Sequence, residues 1–169
     1  MTPLVSLIMG STSDLPIMEK AAKLLDELQV PFEINALSAH RTPDAVERFA
    51  HDAQTRGIKV IIAGAGMAAA LPGVIAANTA LPVIGVPIKG SCLDGMDALL
   101  SIVQMPPGIP VATVGVNAAQ NAAILAVQII SLTDPLVADR FTEYKASLRK
   151  KVEKANSELS ELKFQYKTN

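Results

Sequence analysis

The chain has 169 residues, half of them hydrophobic and 18% charged, which suits one folded domain with a sizeable core and excludes intrinsic disorder. A formal net charge of −1 leaves no basic excess for a nucleic acid or an anionic membrane, and no apolar run reaches the ~18–20 residues of a transmembrane helix. A single cysteine, Cys92, excludes an internal disulfide framework and a multi-cysteine metal site.

Met1-Thr2-Pro3 carries no basic signal-peptide start, so a cytoplasmic protein is expected. The first strand is predicted at Leu4–Met9 and the first helix at Asp14–Gln29, where Ile17, Ala21, Leu24, Leu25 and Leu28 share a face and Pro16 sits in the first turn. A second strand follows at Phe32–Leu37. The next helix opens on Thr42 as N-cap, with Pro43 at its first position and Asp44 and Glu47 at the positive end of its dipole. Val46, Phe49, Ala50 and Ala53 then face inward, and Gly57 supplies the stop. Strands at Lys59–Ala63, Pro82–Pro87 and Val111–Val116 alternate with helices at Ala68–Thr79, Leu93–Gln104 and Ala118–Ser131. Several of these strands are apolar almost throughout, as strands covered on both faces must be. Short connections and right-handed crossovers turn this alternation into an α/β three-layer αβα sandwich around a parallel sheet. The strand order 2-1-3-4-5 is expected by analogy with flavodoxin-like folds.

Residues 1–169 read as a single domain, a core over 1–133 followed by a C-terminal helix within 134–169. From Pro135 to about Tyr166 the chain turns charged, with Phe141, Leu148, Val152, Leu159 and Leu162 at near-heptad spacing. At 1.5 Å per residue such a helix reaches up to ~45 Å and overhangs the core. It either lies back on its own sheet or, the reading preferred here, grips a neighbouring subunit with its distal end.

Open α/β sheets bind ligands at the carboxyl ends of their strands, beside helix N-termini with free N–H groups. After the first strand comes Gly10-Ser11-Thr12-Ser13-Asp14. Gly10 allows a tight turn, the hydroxyls and backbone donors can cradle a phosphate, and Asp14 can accept from ribose hydroxyls. Ser13 or Asp14 can equally be a plain helix cap. The segment is neither a Walker loop nor a Gly-x-Gly-x-x-Gly turn. After the second strand comes Ser38-Ala39-His40-Arg41-Thr42-Pro43. The planar fork of Arg41 suits a phosphate, and His40 is a natural proton carrier near neutral pH, although a lone histidine is often structural. His51, within the second helix, reads as a surface residue. The third loop, Ala63-Gly64-Ala65-Gly66-Met67-Ala68-Ala69-Ala70-Leu71-Pro72-Gly73, is small enough to let backbone approach a planar ligand, and tight helix–sheet packing needs the same residues. Ile88–Gly95 has the composition of a mobile flap. Cys92 has no base beside it, and no paired catalytic carboxylates or metal-ligand cluster stand out.

These loops, together with Ser101-Ile102-Val103-Gln104-Met105-Pro106 and Gly108-Ile109-Pro110-Val111, resemble the class I N5-carboxyaminoimidazole ribonucleotide mutase family over about residues 4–130. The resemblance implies a flavodoxin-like homo-octamer of purine synthesis that acts on a small ribonucleotide and needs no metal, ATP or organic cofactor. It implies a phosphate held by Ser11, Ser13, Ser38 and Arg41, with Gly10 in the same substrate-binding loop, and ribose hydroxyls held by Asp14. Gly64, Ala65, Gly66 and Leu71 would enclose the base and the migrating carboxylate, and His40 would be the general acid and base. Two positions depart from the family pattern: Met67 stands where a glycine is usual, and Ala70 where a histidine is usual. His40 is then the one imidazole expected in the site.

Two other readings compete. Direct carboxylation of aminoimidazole ribonucleotide by carbon dioxide would use the same binding residues. A non-enzymatic flavodoxin-like module is disfavoured, since a flavin site usually flanks its ring with aromatics. This chain has no Trp, and both its tyrosines, Tyr144 and Tyr166, lie in the C-terminal segment. A phospho-acceptor module needs a carboxylate at the end of the third strand, where Ala63-Gly64 stands.

Overall fold

The computed structural model describes residues 2–169. Five parallel strands, β1 (Val5–Met9), β2 (Phe32–Ala36), β3 (Val60–Gly66), β4 (Val83–Ile88) and β5 (Ala112–Thr113), form one sheet in the order β2-β1-β3-β4-β5, as expected. The helices between them are α1 (Leu15–Glu27), α2 (Pro43–Asp52), α3 (Leu71–Ala77), α4 (Met96–Val103) and α5 (Ala119–Ser131), and α6 (Pro135–Ser160) follows.

Strands β1, β3 and β4 are apolar almost throughout because alternate residues feed two separate cores. Val5, Leu7 and Met9 of β1, Val60 and Ile62 of β3, and Ile84, Val86 and Ile88 of β4 pack with α1 and α5. Ile8, Ile61, Ala63 and Val83 face the other way, toward α2, α3 and α4. On β4, a Cβ at Gly85 would collide with Ile102 and lie 2.9 Å from Val111 Cγ1, so α4 seats directly on the strand. Ser6, the one fully buried polar residue among those described, points to neighbouring β2, where its hydroxyl donates to Glu33 Oε1 at 2.9 Å. Asn35 Nδ2 donates to the same oxygen at 3.0 Å, and Arg56, lying 5.6 Å from the centroid of Phe49, pairs with the other carboxylate oxygen.

The differences from the expected elements have local causes. The fifth strand keeps only Ala112–Thr113 of the expected Val111–Val116. Beyond it, Val114 N and Asn117 N still donate to Gly85 O and Pro87 O, three residues against two, so the regular ladder is lost. The third helix starts at Leu71 rather than Ala68, because Met67 and Ala69 have φ of 56° and 43°. The fourth starts at Met96 rather than Leu93, behind Asp94 and Gly95 with φ of 52° and 89°. Thr42 occupies the N-cap position of α2 but makes no capping bond; its hydroxyl bonds back to Ser38 instead.

Asp134 does cap α6, accepting from Leu136 N at 3.0 Å and Val137 N at 3.2 Å. Val137, Phe141 and Tyr144 return to the first core, and Arg140 donates to the carbonyl of Gln29 at 3.1 Å, past the end of α1. Further along, Leu148, Val152 and Leu159 are exposed. One helix thus lies back on its own core through its first turns and runs free of it through its last.

Candidate functional site

A cleft of about 820 Å³ opens at the carboxyl ends of the strands, the size range of small-molecule sites. Gly10, Ser11, Ser13, Asp14, Ser38, His40, Arg41, Ala65, Gly66 and Leu71 all line it, on loops that the sequence separates widely.

The β1–α1 loop winds into a short 3-10 turn at Thr12–Asp14, capped by Ser11. Ser11 Oγ accepts from Ser13 N at 3.1 Å and lies 2.6 Å from Ser13 Oγ, so two hydroxyls stand together at the mouth. Asp14 takes the N-cap position of α1 but makes no capping bond with its side chain. Ser13 Oγ donates to the Asp14 carboxylate at 3.4 Å. Burial pushes the Asp14 carboxyl above its ordinary range, while hydrogen bonds from the Ser13 side chain and the Ser11 backbone pull the other way.

The β2–α2 loop is tied off as a ring. Thr42 N donates to Ser38 O at 2.8 Å, Ser38 N donates to Thr42 Oγ1 at 3.0 Å, and that hydroxyl donates back to Ser38 O at 3.1 Å. Ser38 Oγ accepts from Arg41 N at 3.2 Å and Arg41 Nε at 3.3 Å, and Arg41 Nη2 donates to Gly10 O at 2.9 Å. One guanidinium therefore joins the first two loops and keeps the rest of its N–H groups for a ligand. His40 stands beside it, exposed, and its imidazole makes no hydrogen bond among the described residues. That leaves the ring accessible to a ligand rather than satisfied in a core.

The opposite wall is the β3–α3 loop. Ala65, Gly66, Met67, Ala68, Ala69, Ala70 and Leu71 contribute backbone and short apolar side chains, apart from the longer Met67 and Leu71. Gly66 is needed small, since a Cβ there would sit 3.1 Å from Ile88 O. Gly64, expected to enclose the base, is not a wall residue. It lies beneath the cleft, where a Cβ would collide with Met18 Sδ and lie 3.0 Å from Ile88 Cδ1, so its smallness serves packing.

The cleft also contains residues that the motifs left unassigned: Ile17, Ala39, Ile88, Lys89, Gly90 and Asn117. Asn117 closes one corner, accepting from Lys89 N at 2.9 Å through Oδ1 and donating from its own N to Pro87 O at 2.8 Å. Its position just past the fifth strand was the available signal. Lys89 Nζ pairs with Asp94 Oδ1 at 2.7 Å across the segment read as a flap. Cys92 is exposed, with Ser91 Oγ at 3.7 Å, and His51 pairs with Glu47 on the outer face of α2, away from the cleft. Among the described residues no three of His, Cys, Asp and Glu gather as a metal cage.

Comparison with known proteins adds the following. A family model described as AIR carboxylase matches residues 4–151. The N5-carboxyaminoimidazole ribonucleotide mutase of Pyrococcus horikoshii is 54% identical over 160 residues, covering 95% of this chain and 90% of that protein. The phosphoribosylaminoimidazole carboxylase of Saccharomyces cerevisiae is 61% identical over 132 residues, which are 78% of this chain and 23% of that longer protein. The crystal structure of Treponema denticola PurE superposes with a TM-score of 0.85 at 33% identity, covering 93% of this chain and 98% of that one.

Proposed function

This chain belongs to the AIR carboxylase family, and on that premise we propose how its own residues perform a carboxyl shift. The enzyme is an isomerase of purine biosynthesis that converts N5-carboxyaminoimidazole ribonucleotide to 4-carboxy-5-aminoimidazole ribonucleotide. The observation that carries the assignment of roles is the Arg41 fork, joined to Gly10 and Ser38, with an unbonded imidazole next to it.

Arg41, Ser38, Ser11 and Ser13 take the phosphate, and the Asp14 carboxylate takes the ribose hydroxyls. That fixes the base against the small wall of Ala65, Gly66 and Leu71. His40 gives a proton to the exocyclic nitrogen as the N–C bond breaks, and carbon dioxide leaves without the bonding electrons. The electron-rich ring carbon then attacks the carbon dioxide and forms the C–C bond. His40 takes back the proton from that carbon, which restores the aromatic ring, so protons and charge balance over the cycle. General acid–base catalysis of this kind contributes about 10²–10⁴-fold. The close walls retain the carbon dioxide between the two steps.

A ribonucleotide is thus the small-molecule partner. The exposed apolar residues of distal α6 and of α4, such as Leu100 and Val103, support a homo-oligomer; the octameric state and the cytoplasmic location belong to the reading from family resemblance. Among the described residues no helix is long and apolar enough to cross a membrane.

An assay without added cofactor tests the function. The N5-carboxylated nucleotide at low carbon dioxide is compared with its uncarboxylated parent plus bicarbonate. Product from the first is the expected result. Product from the second alone would replace the shift by direct carboxylation, the reading that the yeast carboxylase similarity keeps in view. Product from neither overturns both.

A further inference from the structure

We propose that Lys89 is the cation that faces the migrating carboxylate, and that Asp94 holds it in reserve until substrate enters. This assignment rests on the carboxyl-shift reading above.

The substrate of that reaction carries negative charge at both ends, a phosphate and a carboxylate. Only two arginine or lysine side chains stand among the described cleft residues, Arg41 and Lys89. Arg41 is committed to the phosphate end by its bonds to Ser38 and Gly10. At the base end, position 70 is an alanine and the β3–α3 wall offers methyl groups and backbone, with no side chain able to neutralise a carboxylate. Lys89 is left.

Its placement suits the task. Lys89 follows β4 directly, and its backbone N–H is pinned to Asn117 Oδ1 at 2.9 Å, so the root of the side chain is fixed at the rim. The next residue, Gly90, lies against the third loop, since a Cβ there would be 3.6 Å from Met67 Cγ. The ammonium meanwhile rests on Asp94 Oδ1 at 2.7 Å, with the two side chains 54% and 83% exposed. An ion pair this exposed is weak and exchanges readily. Asp94 reaches it from a left-handed backbone position, φ 52°, followed by Gly95 at φ 89°, a sharp turn that brings the carboxylate back over the segment. A flexible four-carbon stem with a point charge can leave that partner for a substrate carboxylate.

Titration calorimetry separates the roles with two ligands, 4-carboxy-5-aminoimidazole ribonucleotide and its parent without the carboxylate. Lys89→Met should weaken the carboxylated ligand about tenfold and leave the parent within about twofold, with the melting temperature unchanged. Lys89→Arg should restore most of the loss. Asp94→Asn should tighten the carboxylated ligand alone, because the competing partner is gone. Equal weakening of both ligands, or no change in either, overturns the assignment. If the unaltered enzyme binds neither nucleotide, the carboxyl-shift reading falls first and takes Lys89 with it, a pattern distinct from any produced by the variants.

Discussion

The two ends of the cleft are built by opposite means. Around Gly10, Ser38 and Arg41, side chains are cross-linked before any ligand arrives, by bonds within each of the first two loops and by the Arg41 bond between them. Across the cleft, between Gly66 and Leu71, the wall is made of alanines and backbone, and it keeps its shape through left-handed φ values at Met67 and Ala69 rather than through side-chain bonds. The first arrangement lowers the ordering cost of gripping a dianion. The second gives up bonding to gain closeness, which the proposed release and recapture of carbon dioxide would need more than affinity. His40, the proposed proton carrier, belongs to the cross-linked end, so in that proposal the chemistry draws on both ends.

The largest effect should come from His40→Asn, which removes the proposed proton carrier without touching the bonds among Arg41, Ser38 and Gly10. Turnover should fall about 10²–10⁴-fold while nucleotide affinity by calorimetry stays near its original value. Turnover within a few-fold of the original would overturn that role outright. Arg41→Ala cuts the bond between the first two loops, and a rise in KM of about 10–100-fold, with a smaller change in kcat, is expected. Saturation at unchanged substrate concentration would move the phosphate elsewhere.

Met67→Gly probes the strained end. Met67 is 68% exposed, so little burial is lost. Relief of a left-handed non-glycine position, offset by the entropy of glycine, should raise stability by up to about 1 kcal/mol in chemical denaturation. A loss of similar size would mean that its side chain holds the loop against Gly90.

Asp14→Asn should give the smallest shift in stability, and one that depends on pH. Because burial raises the Asp14 carboxyl in the folded state, the folded chain holds its proton longer than the unfolded chain does. Native stability therefore declines as pH rises from the ordinary carboxylate range, about 3.9, through the folded value, and the decline is complete above it. Asparagine removes that cost, so the variant should melt higher than the parent at pH 7 and lose the advantage in acid. Ribose contacts would be weakened in the same variant. An advantage that persists unchanged at low pH would refute burial as its cause.

Much of the anchored end was legible because its residues follow strand ends in short runs: Ser11, Ser13 and Asp14 after one strand, Ser38, His40 and Arg41 after the next. The sheet order came from analogy with flavodoxin-like folds, since the strand–helix alternation alone does not fix which strands are neighbours. The strained end was harder. Ala69 gives no sign of a left-handed backbone. The Asp94-Gly95 turn pair and the usual glycine at position 67 are signals that helical spacing alone passes over, and the third and fourth helices were each expected to start three residues early. Small residues at 64 and 66 look alike in sequence, yet one packs against Met18 beneath the cleft while the other lines the cleft. Asn117 is placed at the site by two long-range bonds, to Pro87 O and from Lys89 N, for which its position just past the fifth strand was the one sequence signal.

The two margins of the sheet have a consequence of their own. An unpaired strand edge is an invitation for a foreign strand to add on, and from there to stacked, fibre-like growth. At one margin β5 is only two residues long, too short a template to copy. At the other, β2 carries Glu33, its carboxylate already shared among Ser6, Asn35 and Arg56. A newcomer pairing with β2 would lie beside those charges and share in the cost of desolvating them. Brevity guards one side and charge the other, so many copies can crowd together without their sheets merging.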